Sequence, residues 1–372
     1  MRFYMDYNAS APINSNALEL MMEVYKYIGN PSSIHTSGRK ARTFIEDARE
    51  KIGIVLDNKS QNIIFTSGAT EANTIAFKLS HQPSVIISAI EHPSVLNQST
   101  DADLVKVLDN GIICLKDLEK TLQKQKDVEK LVSIMAVNNE TGIIQPLKEA
   151  ASLCKKYKAL LHVDAVQALG RIPITMRKLE IDLLTISSHK IGGPKGAGCL
   201  LYSDSVKNKL IPVIKGGGQE RGLRAGTEAV AQIAGFGKAV ELIKEVKFNE
   251  IKFSRDLLEQ TIKNNIRNVE IIGENSPRVS NTSLISFKGV SAKKLVISLD
   301  LEGYEVSSGS ACSSGKVTDS HVLMAMGLKK NVVQGAIRIS LCEPILKKDI
   351  DQFVETLQYI ICRLIDREKN KV

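Results

Sequence analysis

The sequence predicts an α/β protein, with a large domain on a mainly parallel sheet and a smaller α+β domain. Three observations carry this. Short β-branched apolar runs alternate with helical patterns over most of the chain, the order that gives a parallel sheet with helices on both faces. Several of these runs break at their C-terminal ends into small, polar or glycine-rich residues, at the edge where open α/β sheets bind ligands. At about Lys247 the pattern changes to a long charged helix and shorter strands. These place a large domain over 13–246 and a small one over 247–372, with residues 1–12 packing onto the small one.

In order, Asn14 or Ser15 caps a first helix running to about Ile28, and Gly29 to Gly38 is a loop before a helix ending near Leu56. Strands follow at Asn62 to Phe65, Ser84 to Ala89, Leu131 to Val137, Ala159 to Val163 and Ile181 to Ile186. Helices start at about Thr70 and Leu147. Gly216 to Thr227 is a second glycine-rich loop, leading into a helix over Glu228 to Glu245. The small domain then reads as a helix (Asn249 to Asn265), strands at Val269 to Ile272 and Thr282 to Phe287, and a helix at Ala292 to Leu301. A strand at Ala336 to Leu341 and a helix from Lys347 to about Asp366 close it.

A hydrophobic fraction of 43% and a charged fraction of 24% exclude a disordered chain. The apolar runs are too short for a membrane span, and the opening M-R-F-Y-M-D-Y is neither a signal nor a transit peptide, so a cytoplasmic enzyme with no membrane contact is expected. The net charge of +9 comes without a basic block interleaved with aromatics, so direct nucleic-acid binding is not expected. Solvated helix faces account for it, and a cofactor phosphate or an acidic partner would also suit it.

Six cysteines never form C-x-x-C, which argues against a zinc ribbon. Five of them (Cys114, Cys154, Cys199, Cys342 and Cys362) sit in apolar patterns and are expected as small core residues. Cys312 lies in Ser307 to Gly315, a run of small residues that reads as a mobile loop with an exposed, reactive thiol.

The strand ends carry the chemistry. Ser187-Ser188-His189-Lys190 ends the run Ile181 to Ile186, and a partly desolvated lysine there can form a Schiff base with an aldehyde cofactor. Thr66-Ser67-Gly68-Ala69-Thr70 joins a strand to a helix N-terminus that suits one isolated phosphate; taken alone, Thr70 reads equally as a cap. Asp164, after the strand Ala159 to Val163, can keep a pyridine nitrogen protonated. A metal pair of His162 with Asp164 is the alternative, with no third ligand placed nearby. His92 can lie over a planar ring, although alone it reads as a structural histidine, and Asn138-Asn139-Glu140-Thr141-Gly142 adds an amide. Five strand ends thus offer a phosphate turn, an imidazole, an amide, an acid and a lysine, the set a pyridoxal phosphate enzyme needs.

With T-S-G-A-T-E-A-N, N-N-E-T-G, V-D-A-V-Q, S-S-H-K-I-G-G-P-K-G, G-G-G-Q-E-R-G-L-R-A-G-T and S-S-G-S-A-C-S-S-G, essentially the whole chain resembles the NifS/IscS-like cysteine desulfurases of the class V aminotransferase family. The resemblance implies the aspartate-aminotransferase-like fold of pyridoxal phosphate enzymes, with a large, mainly parallel, seven-stranded type of sheet. It implies that Lys190 carries the cofactor, Asp164 pairs with its ring nitrogen, His92 stacks on the ring and Gln167 meets its phenolic oxygen. Ala69, Thr70, Ser187 and His189 hold the phosphate, with Thr227 reaching it from the neighbouring subunit of a homodimer. Asn139 and Arg338 hold the carboxylate of the substrate, L-cysteine.

The implied reaction leaves alanine and a persulfide on Cys312, which passes to an iron–sulfur scaffold protein or another sulfur acceptor, tRNA thiolation included. No resident metal is implied; the Cys312 persulfide would meet a nascent iron–sulfur cluster on a partner. A selenocysteine lyase or another family lyase or aminotransferase is the runner-up. The N-terminal D-Y-N-A-S-A-P stands where the family's usual pattern is D-x-x-A-T-T-P, a mild departure expected to affect no residue assigned to chemistry.

Overall fold

The structure, a computed structural model, describes residues 2–81, 83–124, 128–243, 248–309 and 319–369. The chain opens with strand β1 (Phe3–Tyr4) and helices α1 (Ser15–Val24) and α2 (Thr36–Leu56). Next come β2 (Ile63–Thr66), α3 (Ala69–Ala76), β3 (Ser84–Ser88), α4 (Pro93–Leu96), β4 (Asp103–Val105), α5 (Leu115–Lys124), β5 (Lys130–Ser133), α6 (Leu147–Lys156), β6 (Ala159–Asp164), β7 (Leu183–Ser187), β8 (Gly198–Tyr202) and α7 (Val230–Leu242). The remainder is α8 (Phe248–Asn265), β9 (Val269–Ile271), β10 (Thr282–Phe287), α9 (Ala292–Leu301), β11 (Tyr304–Glu305), β12 (Ser307–Ser308), α10 (His321–Ala325), α11 (Lys330–Val333), β13 (Ala336–Ser340) and α12 (Lys347–Lys369).

Seven strands form the large sheet in the order β2-β8-β7-β6-β5-β3-β4. Its pairs from β4 through β7 are parallel, while β8 runs antiparallel to both neighbours, so β2 points the same way as β7. Alternate side chains serve two cores. Phe65, Leu161, Val163, Leu184 and Ile186 pack with Ile45, Ile52 and Leu56 of α2 and with α5, α6 and α7. Ile64, Leu160, Leu183 and Leu200 pack with Ala72, Ile75 and Ala76 of α3. Each such aliphatic side chain, fully buried, contributes about 1.5–3 kcal/mol.

A four-stranded antiparallel sheet, β12-β13-β10-β9, carries α8, α9 and α12 around a core of its own. Residues at the N-terminus join it, with β1 pairing parallel to β11 and Asp6 bridging to Ser340. A smaller cluster of Ile90, Met135 and Ile143 with Leu284, Val322 and Met326 packs the two sheets' surroundings together.

Several expectations need correction. The first helix ends at Val24, not near Ile28, and the strand expected to Val137 pairs in the sheet only to Ser133. Strands β4 and β8 had no counterpart in the reading; an apolar run such as Cys199-Leu200-Leu201-Tyr202 carries no mark of its direction. Only Cys154 and Cys199 of the five expected core cysteines are buried. Cys114 and Cys342 are half-buried and Cys362 is exposed. On α12 the buried face takes Ile360 and Ile361, and one further residue turns the next side chain about 100° away.

Candidate active site

Strands β2, β3, β5, β6 and β7 end at one edge of the sheet, around a cavity of about 610 Å³. Its lining includes Ala69, Thr70, His92, Asn139, Asp164, Gln167, Ser187, His189, Lys190 and Arg338. One cavity therefore gathers residues that the sequence spreads over six elements.

Lys190 ends a short 3-10 turn, Ser188–Lys190, that breaks off β7. Its Nζ donates to the carbonyls of Asn8 (2.7 Å) and Ala9 (2.8 Å). Asn8, Ala9 and Ser10 all line the cavity. The backbone of D-Y-N-A-S-A-P thus holds the lysine, through carbonyls that do not depend on the Ser10 and Ala11 side chains at which the stretch departs from the family pattern.

Asp164 is buried at the end of β6. One oxygen accepts from the Val166 amide (3.0 Å) and the other from Asn73 Nδ2 (3.1 Å). Asn73, on α3, also donates to Ser94 Oγ (2.9 Å), which lies 2.7 Å from His92 Nδ1. That nitrogen accepts from the Ser94 amide (3.1 Å), which leaves the ring proton for Nε2. Burial holds the His92 imidazole below its usual value; Asp164 opposes this, while Lys190 and His321 add to it. His162 plays no such part. It is fully buried between Ser133 Oγ (2.7 Å) and Thr185 Oγ1 (3.1 Å), and burial lowers it to about 3, so it is neutral. No group of three His, Cys, Asp or Glu able to hold a metal occurs among the described residues.

Arg338, on β13, is 2% exposed. Its Nη2 lies 2.6 Å from Asp6 Oδ1, its Nη1 donates to the Asn139 carbonyl (2.9 Å), and its Nε has no partner among the described residues. A guanidinium held on one side with a donor to spare suits a carboxylate ligand. Gln167 Nε2 donates to the Asn8 carbonyl (3.0 Å), and its Oε1 accepts from Arg171.

At the phosphate end, Gly68 caps α3 with no side-chain hydrogen bond, which leaves the first-turn N–H groups to a ligand. Gly198 of β8 lies against this turn: a Cβ there would sit 2.7 Å from the Gly68 carbonyl carbon. Glu71 accepts from the Ser67 amide (2.7 Å) and from Arg224 Nε (2.8 Å), tying the turn to the loop that holds Thr227. His189 Nδ1 is 3.3 Å from Ser10 Oγ, and burial, then Lys190 and Lys195, lower the ring to about 4. Thr227 is exposed and does not line this chain's cavity. Cys312 lies outside the described residues, which stop at Gly309 and resume at Asp319.

Reasoning from the sequence missed Asp6, Asn8, Ala9, Asn73 and Arg171. Asn73 stands inside T-S-G-A-T-E-A-N, and its spacing from Thr70 puts it one helical turn in; that was the available signal. Asp6, Asn8 and Ala9 stand in D-Y-N-A-S-A-P, whose match to the family pattern was the signal for them; Arg171 carries none.

The residues that line the cavity fit a phosphorylated pyridine aldehyde: an uncapped helix start, a buried carboxylate and a lysine. Fold and site together define a pyridoxal phosphate enzyme of the aspartate-aminotransferase-like architecture. The chain belongs to the class V aminotransferase family, whose profile matches residues 3–353. It is 40% identical to a protein named cysteine desulfurase IscS of Dictyoglomus turgidum, over 97% of this chain and 95% of that one. It is 38% identical to cysteine desulfurase IscS 1 of Archaeoglobus fulgidus, with 97% of each covered. Among solved structures, a NifS-like protein from Rickettsia africae superposes with a TM-score of 0.89 at 37% identity, covering 97% of this chain and all of that one. One described as SspA in complex with cysteine gives a TM-score of 0.81 at 30% identity, over 93% of this chain and all of that one.

Proposed function

We propose that this chain is a pyridoxal-phosphate-dependent cysteine desulfurase, taking sulfur from L-cysteine, leaving L-alanine and holding the sulfur as a persulfide on Cys312. The observation that carries the reading is the placing of Lys190, Asp164 and Arg338 around one cavity. It supplies an amine for an aldehyde, an acid for a ring nitrogen and a fork for an amino-acid carboxylate. The names of the relatives favour sulfur removal from cysteine over a selenocysteine lyase or an aminotransferase.

When bound, the cofactor withdraws electrons from the substrate carbon bonded to the amine, so bonds there break more readily. Lys190, seated between the Asn8 and Ala9 carbonyls, would hold the cofactor and, with its amine free, would move the α-proton of the substrate. Asp164, oriented by Asn73 and the Val166 amide, would pair with the ring nitrogen. His92, Gln167, Asn139 and Arg338 all line the cavity; His92 would cover the ring face, Gln167 would meet the phenolic oxygen, and Arg338 with Asn139 would fix the substrate carboxylate. Ala69, Thr70, Ser187 and His189 hold the phosphate, joined by Thr227 of a second copy, so the active form is a homodimer. The exposure of Thr227 and its absence from the lining of its own chain's cavity support that assignment.

The Cys312 thiolate attacks the substrate sulfur. An S–S bond forms, the S–Cβ bond breaks, and the electron pair left on Cβ takes a proton to give alanine. The sulfur then passes to a scaffold for iron–sulfur clusters or to another thiol acceptor.

The test measures sulfide and alanine released from L-cysteine with dithiothreitol, for the native enzyme and Cys312→Ala. Equal yields, abolished by the substitution while the yellow cofactor stays bound, support the reading. A Cys312→Ala enzyme as active as the native one, or pyruvate in place of alanine, overturns it.

A further inference from the structure

Behind the lysine lies a charge that the reaction as described does not use. Arg171 follows β6 by seven residues and is 8% exposed. Its Nη1 donates to Asn8 Oδ1 (3.0 Å) and to Gln167 Oε1, while its Nη2 has no hydrogen-bond partner among the described residues. No carboxylate lies within ion-pair distance of it among those residues. The titratable groups that face it directly are Tyr7, whose ring centre is 5.5 Å from the guanidinium carbon, and Arg338; Lys190 lies beyond Asn8, to which both side chains donate. Burial pushes the Tyr7 phenol up, so it is neutral and offers no countercharge. Arg338 has its own partner in Asp6. Burying a cation without an anion is costly, and an arginine does not escape by losing its proton: burial lowers Arg171 only to about 10.

We propose that Arg171 is a positioning residue of this active site, committing the Gln167 carbonyl to the protein and keeping a fixed positive charge one residue behind Lys190. Two consequences follow. With Oε1 accepting from Arg171 and one Nε2 hydrogen on the Asn8 carbonyl, the second Nε2 hydrogen is the donor Gln167 has left, and it suits an anionic oxygen in the cavity. And Asn8 accepts from Arg171 through its side chain and from Lys190 through its carbonyl, so two cations share one residue. A neighbouring cation disfavours the protonated form of an amine and of the imine made from it. Among the described residues, the titratable groups that line the cavity with Lys190 are Glu71, His92, Asp164, His189, Lys195 and Arg338, and none of them changes in the variants below.

The inference rests on the cofactor reading, and one experiment separates the two. The visible absorbance of the purified holoenzyme is titrated with pH for the native enzyme, Arg171→Met and Arg171→Lys. The expected result is a midpoint about one pH unit higher in Arg171→Met, with Arg171→Lys close to native, because the lysine restores the charge. A native protein without a titrating visible band overturns the cofactor reading itself. A native band with an unmoved midpoint in folded Arg171→Met overturns the role of Arg171, as does an equal shift in Arg171→Lys, which would trace the effect to packing. If Arg171→Met does not fold, Arg171→Gln carries the same comparison.

Discussion

Arg338 and Asp6 meet at 2.6 Å across 332 positions of sequence, and the contact places a buried guanidinium at the wall of the cavity. Asp6 lies just beyond the strand β1 that pairs with β11, so the arrival of the N-terminal segment on the small sheet completes the site.

Asp6→Asn removes the charge that holds Nη2 and leaves the guanidinium free to turn. We expect the KM for cysteine to rise about tenfold with little change in kcat, since uniform binding is lost. Arg338→Lys, which loses the planar fork, is expected to lower kcat/KM about 100-fold. Steady-state kinetics check both, and a kcat loss in Asp6→Asn larger than its KM rise would contradict the assignment.

Asn73 donates to both Asp164 and Ser94 from inside α3. Asn73→Ala leaves a buried carboxylate oxygen without its donor, at a cost of about 1–3 kcal/mol. The variant should unfold at lower urea and lose cofactor faster on dialysis, both measured against native enzyme.

Gly198→Ala should weaken cofactor binding by at least about tenfold, because its Cβ would press on the backbone of Gly68, and that backbone cannot rotate away as a side chain can. Titration of the apoenzyme with pyridoxal phosphate gives the affinity. Unchanged binding would show that the turn tolerates the shift.

Glu140 is 4% exposed; burial raises its carboxyl to about 7, against the Ser320 hydroxyl and Arg338, which favour ionisation. Between its unfolded value near 4.5 and about 7, the folded state holds a proton that the unfolded state has lost, so this group's contribution falls as pH rises. The loss is on the order of 3 kcal/mol. Glu140→Gln should abolish that decline, so its urea midpoint relative to native should climb from pH 5 to 7.5. Parallel stability curves would refute the shift.

Under native conditions a thiol reagent should label Cys362 quickly and Cys154 and Cys199 slowly. Cys362 is exposed, whereas burial pushes Cys154 up to about 12 and Cys199 well above its ordinary value. Mass mapping of the labelled peptides decides this.

Read alone, the sequence determined the α/β class and most of the cavity wall. Asp164 ends a strand, and Thr70, His92, Asn139 and Lys190 lie in the turns that follow strand ends, so the chain's local direction puts them at one edge once the strands lie side by side. Periodicity and turn residues encode that much, because both act over a few residues. The direction of β8 was not encoded, since a buried apolar run fits either direction. Nor were the seats of Lys190 and Arg338. Asn8 and Asp6 reach them because a few backbone hydrogen bonds carry the N-terminus across to β11 and Ser340. A contact between residues so far apart in sequence exists only when both cores are packed, and no local spacing records it.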